Sequence, residues 1–250
     1  MKRVLVVYTW PPLDPRFLYY ANKFIESYTK HPAGIAHDVV VAVKDNITAR
    51  FTFPASTTVL QKFEWLAVGN YGYDIGPFLR IARERQYQYD VVVLLGVYAR
   101  ILADDWLKKL TDALNTYQVV SATGSFQQGI SSYARNPCLR TTAFAIEPKL
   151  LTRLWPTTVE NQNTVMCDKQ ECYEFEHGNR SIYRRVVSTG GRGAVVGIDG
   201  AYPEDKWNES CTFWKAEQRN LIVADNHTDN WVNSDATMRN FYTLRAGFTL

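Results

Sequence analysis

Residues 70–106 begin Asn70-Tyr71-Gly72-Tyr73-Asp74-Ile75-Gly76-Pro77-Phe78-Leu79, pass through a basic, helical segment from Arg80 to Gln88, and continue Tyr89-Asp90-Val91-Val92-Val93-Leu94-Leu95-Gly96-Val97-Tyr98-Ala99-Arg100 to Trp106. The run Val91 to Leu95 is β-branched and apolar without alternation, the pattern of a strand buried on both faces of a parallel or mixed sheet. In open sheets of that kind ligands bind beyond the carboxyl ends of the strands, which is where Gly96, Tyr98 and Arg100 fall. The alternative for Gly96 is a tight exit from the strand and nothing more.

Working outward, Val4 to Tyr8 is an opening strand ended by Thr9-Trp10-Pro11-Pro12, since proline cannot continue a ladder. Apolar residues recur at helical spacing from Phe17 to Tyr28, and His31-Pro32-Ala33-Gly34 stops that helix. A second strand is expected at His37 to Lys44 and a short third at Thr57 to Leu60. Beyond the central strand come a helix from Trp106 to Tyr117, a strand from Val119 to Ala122, a polar loop from Gln127 to Pro137, a strand from Leu139 to Ile146 and a helix from Pro148 to Leu154. Glu171 to Val187 reads as one helix and Ala194 to Ile198 as a strand. The stretch from Pro203 to Leu250 holds Trp207, Phe213, Trp214 and Trp231, more aromatic surface than a solvated tail needs, and is expected to fold back irregularly over the sheet. The expected class is therefore α/β, a single domain with a mostly parallel mixed sheet flanked by helices.

At 250 residues and 46% hydrophobic, the chain can bury a substantial core. A net charge of +3 argues against a nucleic-acid partner, and Arg80, Arg83 and Arg85 read as a solvated helix face. Cys138, Cys167, Cys172 and Cys211 form no CxxC pair, so free thiols in a reducing compartment are expected. No apolar run approaches the roughly 20 residues of a membrane span, and a soluble, cytoplasmic protein is expected, with the sequons at Asn46, Asn179, Asn208 and Asn226 unused. Neither GxGxxG nor GxxxxGK[ST] occurs, which weakens a nucleotidyltransferase reading.

The stretch Asn70 to Leu79 followed by Tyr89 to Leu95 resembles the N-x-G-x-D-I-x-P-F … YD-hydrophobic block of the rhamnan-synthesis family of glycosyltransferase-like proteins. Glu176-His177-Gly178-Asn179-Arg180-Ser181-Ile182-Tyr183-Arg184-Arg185, with Gly190-Gly191 and Ala194-Val195-Val196 after it, is similar to the segment carrying the catalytic acid of inverting family-2 glycosyltransferases of the GT-A fold. Together the two stretches imply a GT-A-like, Rossmann-like single domain: 1–125 for the nucleotide-sugar, 126–200 for acceptor and catalysis, and 201–250 as an extension. They imply transfer of a sugar from a nucleotide-sugar donor to a glycan, glycolipid or glycoprotein acceptor, with inversion. GT-A enzymes carry an Asp-x-Asp after the central strand that holds Mn2+ or Mg2+; Gly96-Val97-Tyr98 stands in its place. Asp104-Asp105 falls before Trp106, where acids cap a helix. The departure keeps a second reading open, an inactive glycosyltransferase-like domain that binds a nucleotide-sugar or glycan.

The resemblance gives Glu176 the part of base toward the acceptor hydroxyl, flanked by Glu171 and Glu174, unless it only stabilises the start of a helix. Asp74 is assigned to the donor's ribose or base, or else to an Asx turn capping the helix near Pro77. Asn70, Gly72 and Gly76 shape that loop, and Tyr8 and Thr9 are expected to flank the nucleotide base. Arg100 is the expected counter-charge to the leaving diphosphate, with His227 and Arg140 behind it. Arg140 and Trp214 are the acceptor candidates. Asp225 and His227 are the candidate phosphate or metal ligands, although no ligand spacing marks a metal site. All of this requires the peptide around Tyr98 and the acid at 176 to face one cleft.

Overall fold

A computed structural model describes residues 2–12, 15–44, 62–128, 135–156 and 169–249. In chain order its elements are β1 (Val4–Trp10), α1 (Pro15–Lys30), β2 (Asp38–Lys44), β3 (Glu64–Val68), α2 (Ile75–Glu84), β4 (Val91–Leu95), β5 (Arg100–Ile101) and α3 (Trp106–Ala113). Then follow β6 (Val119–Ser121), β7 (Gly124–Ser125), β8 (Cys138–Leu139), β9 (Phe144–Ile146), α4 (Pro148–Leu154), α5 (Lys169–His177) and α6 (Ile182–Ser188). The chain closes with β10 (Gly193–Val196), β11 (Ala201–Pro203), β12 (Val223–Ala224), α7 (Asn226–Val232) and α8 (Ala236–Arg245).

Eight strands among the described residues form one sheet in the order β11-β10-β6-β9-β4-β1-β2-β3. β1 pairs in parallel with β2 and β4, β2 with β3, and β6 with β10, while β9 lies antiparallel between β4 and β6. The α/β architecture expected from the sequence, a mostly parallel mixed sheet flanked by helices, is present. Alternate residues of β1 serve two cores, as the period of a strand requires. Leu5 and Val7 join Phe78 and Ile81 of α2, Leu151 of α4, Phe175 of α5 and Val186 of α6. Val4, Val6, Tyr8 and Trp10 join Phe24 of α1 and Trp106, Leu107 and Leu110 of α3 on the opposite face.

Several elements differ from the sequence reading. The expected strand at Thr57–Leu60 lies outside the described residues, and the third strand of the parallel run is β3. The basic segment is helical only to Glu84, because the amphipathic helix begins earlier, at Ile75. The strand expected at Leu139–Ile146 is two short ones, β8 pairing with β7 and β9 with the main sheet. The single helix expected over Glu171–Val187 breaks after His177, and Ser181 caps a new helix by accepting from the Arg184 N–H. The stretch read as irregular contains β12, α7 and α8, each helix capped by an aspartate side chain, Asp225 and Asp235. No helix among the described residues is long and apolar enough to cross a membrane.

Candidate functional site

β1 has β2 on one side and β4 on the other, so successive crossovers leave it in opposite directions and a crevice opens beyond the carboxyl ends of these strands. A cleft of about 1120 Å³ lies there. Its walls come from the residues that follow four parallel strands: Pro11, Lys44 at the last position of β2, Asn70 to Ile75, and Gly96 to Ala99. The opposite wall is made by Arg140 to Thr142, by α5 and by the α7 end, with Trp214, Tyr242 and Arg245. Tyr98 and Glu176 both line it, as the sequence reading required. Asn70, Asp74, Gly96, Arg140, Trp214, Asp225 and His227 join them.

Tyr8, Thr9 and Arg100 do not. Tyr8 points into the core beneath the sheet, stacked on Phe24 at 4.0 Å with its hydroxyl donating to the Val97 carbonyl at 3.1 Å. Thr9 is fully buried, its hydroxyl 3.5 Å from the Asp74 carbonyl oxygen. Successive residues of a strand face opposite sides of the sheet, and both sides of β1 are covered here, so neither residue is left open to the cleft. Arg100 pairs with Asp229 of α7, so its charge is already met and it does not reach the cleft. The acids at 104 and 105 are not side-chain caps either: Asp104 pairs with His31 at 2.8 Å, and Asp105, at φ 59°, makes no side-chain cap bond to α3.

Glu176 lies in the last turn of α5, not at a helix opening. It is 9% exposed, and both oxygens are engaged. Oε1 accepts from the Thr141 N–H at 2.9 Å and lies 4.0 Å from the Arg140 guanidinium; Oε2 lies 2.8 Å from His177 Nε2. Burial favours a protonated acid, but Arg140, His177 and the Thr141 N–H override it and hold Glu176 well below the usual carboxylate range. Burial would likewise lower His177; the Glu176 carboxylate lifts it instead to about 9. Arg140 is packed over the Phe213 ring at 4.9 Å.

Asp74 occupies the N-cap position of α2 without a side-chain cap bond. Its carboxylate turns instead to the exit of β4, accepts from the Val97 N–H, and occupies the space a side chain at Gly96 would need: a Cβ there would lie 2.6 Å from Asp74 Oδ2. Burial pushes this acid up to about 6, against the opposing pull of Lys44, the Val97 N–H and Lys169. Gly72 and Tyr73, at φ 61° and 49°, form the left-handed turn that leaves the Tyr73 ring half exposed.

At the other end, Asp225 caps α7 through Oδ1 and accepts from the Thr142 hydroxyl through Oδ2. His227 is held by its backbone, its N–H donating to Asp225 Oδ1 and its carbonyl accepting from Trp214 Nε1. Burial, then the Arg140 charge, pushes its imidazole down, so the ring is neutral at pH 7. Trp214 is a wall rather than a sugar platform, because its ring is already stacked on Phe213 at 4.4 Å and tilted against Tyr242 at 4.8 Å. Cys211, Trp214, Ala216, Glu217 and Gln218 all sit at positive φ, so the segment presenting Trp214 is strained.

These donors do not fit a divalent cation. Among the described residues no three His, Cys, Asp or Glu side chains converge on one point, and the oxygens of Asp225 and Glu176 are committed to hydrogen bonds. The sequence reading overlooked Lys44, Lys169, His177 and Tyr73; Lys44 was signalled only by its position, a lysine ending an apolar strand.

No protein-family model and no curated protein sequence matches the chain. Among solved structures it is similar to the mannosyltransferase PcManGT of Pyrobaculum calidifontis, in complex with GDP-Man and Mn2+, at 15% identity and a TM-score of 0.49 over 84% of this chain. The chain spans 60% of the length of that enzyme. It is also similar to a protein described as a nucleotide-diphospho-sugar transferase of Desulfovibrio desulfuricans G20, at 13% identity and a TM-score of 0.39, over 66% of this chain and 72% of that one.

Proposed function

We propose that the cleft binds a nucleotide-sugar and transfers its sugar, with inversion, to a hydroxyl of a glycan, glycolipid or glycoprotein. The observation that carries this reading is the polarity of one crevice at the switch point of a parallel sheet. One end holds Lys44 and Lys169 beside Tyr73, suited to a diphosphate and a base; the other holds Glu176, Asp225 and His227, suited to a hydroxyl losing its proton. The resemblance of residues 70–95 to the rhamnan-synthesis block supports the same assignment.

In this reading the acceptor oxygen bonds to the anomeric carbon as the bond to the diphosphate breaks, and a protein group takes the acceptor's proton. Glu176 is a weak base, because both oxygens are bound and its charge is strongly stabilised. We assign it to positioning Thr141 and His177, and assign the proton to the neutral ring of His227. The engaged Glu176 also favours the second reading, a domain that binds a nucleotide-sugar without turning it over.

Thermal shift against a panel of nucleotide-sugars, followed by transfer assays with the one that binds, tests both. A true donor raises the Tm, since a ligand of the folded state stabilises it. His227→Gln is expected to lower kcat by about 100-fold or more with donor affinity retained. Transfer unchanged in His227→Gln removes the histidine from the reaction, and donor binding without any transfer selects the second reading.

A further inference from the structure

The cleft's two lysines come from different elements and converge on one ring. Lys44 Nζ lies 5.7 Å from the centre of Tyr73 and Lys169 Nζ lies 4.6 Å from it. Lys44 is only 7% exposed, unusual for an ammonium. Among the described residues, both ammoniums lie over ring faces, Lys44 over Tyr73 and Lys169 over Tyr73 and Tyr173. Asp74 is the acid in their field, and it is aimed at the backbone of the β4 exit by the Val97 N–H and the bare Cα of Gly96. The other titratable groups facing it are neutral: Tyr8 from β1, whose phenol is pushed up by burial, and Cys172 from α5, whose thiol burial raises to about 11.

We infer that Lys44, Lys169 and Asp74 form a diphosphate subsite that works without a divalent cation. The inference rests on the nucleotide-sugar reading for what the diphosphate belongs to, but its chemistry stands on these residues. A diphosphate diester carries one negative charge on each phosphate, which the two ammoniums match. An ionised Asp74 would add an unmatched negative charge in a poorly solvated place, whereas its carboxyl form can donate a hydrogen bond to a phosphate oxygen. The same two ammoniums repel a dication, in accord with the unsuitable donor set. Burial already raises Asp74 to about 6, so an arriving diphosphate completes the protonation by drawing a proton from solvent. Affinity is therefore greatest below pH 6 and falls as the pH rises and that proton becomes harder to supply.

Calorimetric titration of the whole chain with inorganic pyrophosphate and with the diphosphate diesters UDP-glucose and GDP-mannose tests this, each in excess EDTA and in Mn2+, with the pH series from 5.5 to 8 run on the two diesters, whose phosphates do not titrate in that window. We expect binding in EDTA that Mn2+ does not strengthen, and proton uptake when two buffers of different ionisation enthalpy are compared. Lys44→Ala and Lys169→Ala should each weaken binding by about tenfold or more. Asp74→Asn, which mimics the carboxyl form, should bind at pH 8 about as tightly as at pH 5.5. Binding abolished by EDTA and restored by Mn2+ overturns the inference, as does an Asp74→Asn chain that melts normally but no longer binds. In both cases the wild-type chain still binds nucleotide, so the nucleotide-sugar reading survives while the cation-free subsite falls. If pyrophosphate binds in EDTA but neither diester does, the subsite stands and the nucleotide-sugar reading falls. If nothing binds under any condition, both fall.

Discussion

His177 sits between Glu176 Oε2 at 2.8 Å and the Cys138 Sγ at 3.3 Å, with Ser125 Oγ a further 3.2 Å beyond the sulfur. The order of Cys, His and Glu has the form of a nucleophile and its base, but Cys138 is fully buried and does not line the cleft, so the row works as a brace. Its ion pair makes stability depend on pH. His177 is lifted above its unfolded value of 6.5 to about 9, so its contribution is complete below about pH 6.5 and is lost as the pH rises through 9. Chemical denaturation of the wild type between pH 7 and pH 10 should therefore show a loss of stability that His177→Gln lacks. The variant itself should be less stable at pH 7 by about 3 kcal/mol, since it leaves Glu176 buried beside a lost partner. Parallel pH dependence in the two proteins would refute the assignment.

At the scale of elements, the break between α5 and α6 decides where the acid goes. Periodicity alone ran one helix through Glu171–Val187, because apolar residues recur on both sides of the break. The chain turns instead at Gly178, whose N–H still bonds to the Glu174 carbonyl at 3.2 Å. A Cβ at Gly178 would lie 2.7 Å from the Glu174 Cα, closer than backbone allows. Gly178→Ala should thus cost about 1–3 kcal/mol and shift the end of α5 that carries Glu176 and His177. Denaturant melts give the first quantity. NMR titration of His177 gives the second, as a pKa falling from about 9 toward its ordinary value; an unchanged titration would mean the glycine is not what holds the pair.

For the whole molecule, the final helices are part of the core. The Phe126 N–H donates to the Ala246 carbonyl at 2.7 Å, Phe248 packs edge-on to Phe126, and Trp231, Ala246 and Phe248 are buried. A chain ending at Ala224 would uncover Phe126 and Trp214 and lose two buried aromatics, Trp231 and Phe248, each worth about 3–5 kcal/mol. Calorimetry should show its Tm lower by more than about 10 °C or no cooperative transition at all. The sequence by itself determined the α/β class, the buried central strand, and the cleft-facing loops at Asn70–Asp74 and Gly96–Tyr98, because unbroken β-branched runs and glycine-marked exits are local signals. Only the tertiary structure decided that Tyr8 and Thr9 turn inward, that Arg100 is spent on Asp229, that Glu176 is locked by Arg140 and His177, and that Lys44 and Lys169 meet at Tyr73. The physical reason is that the charge state and free valence of a side chain depend on partners up to 129 positions away, as for Arg100 and Asp229, and no local pattern records them.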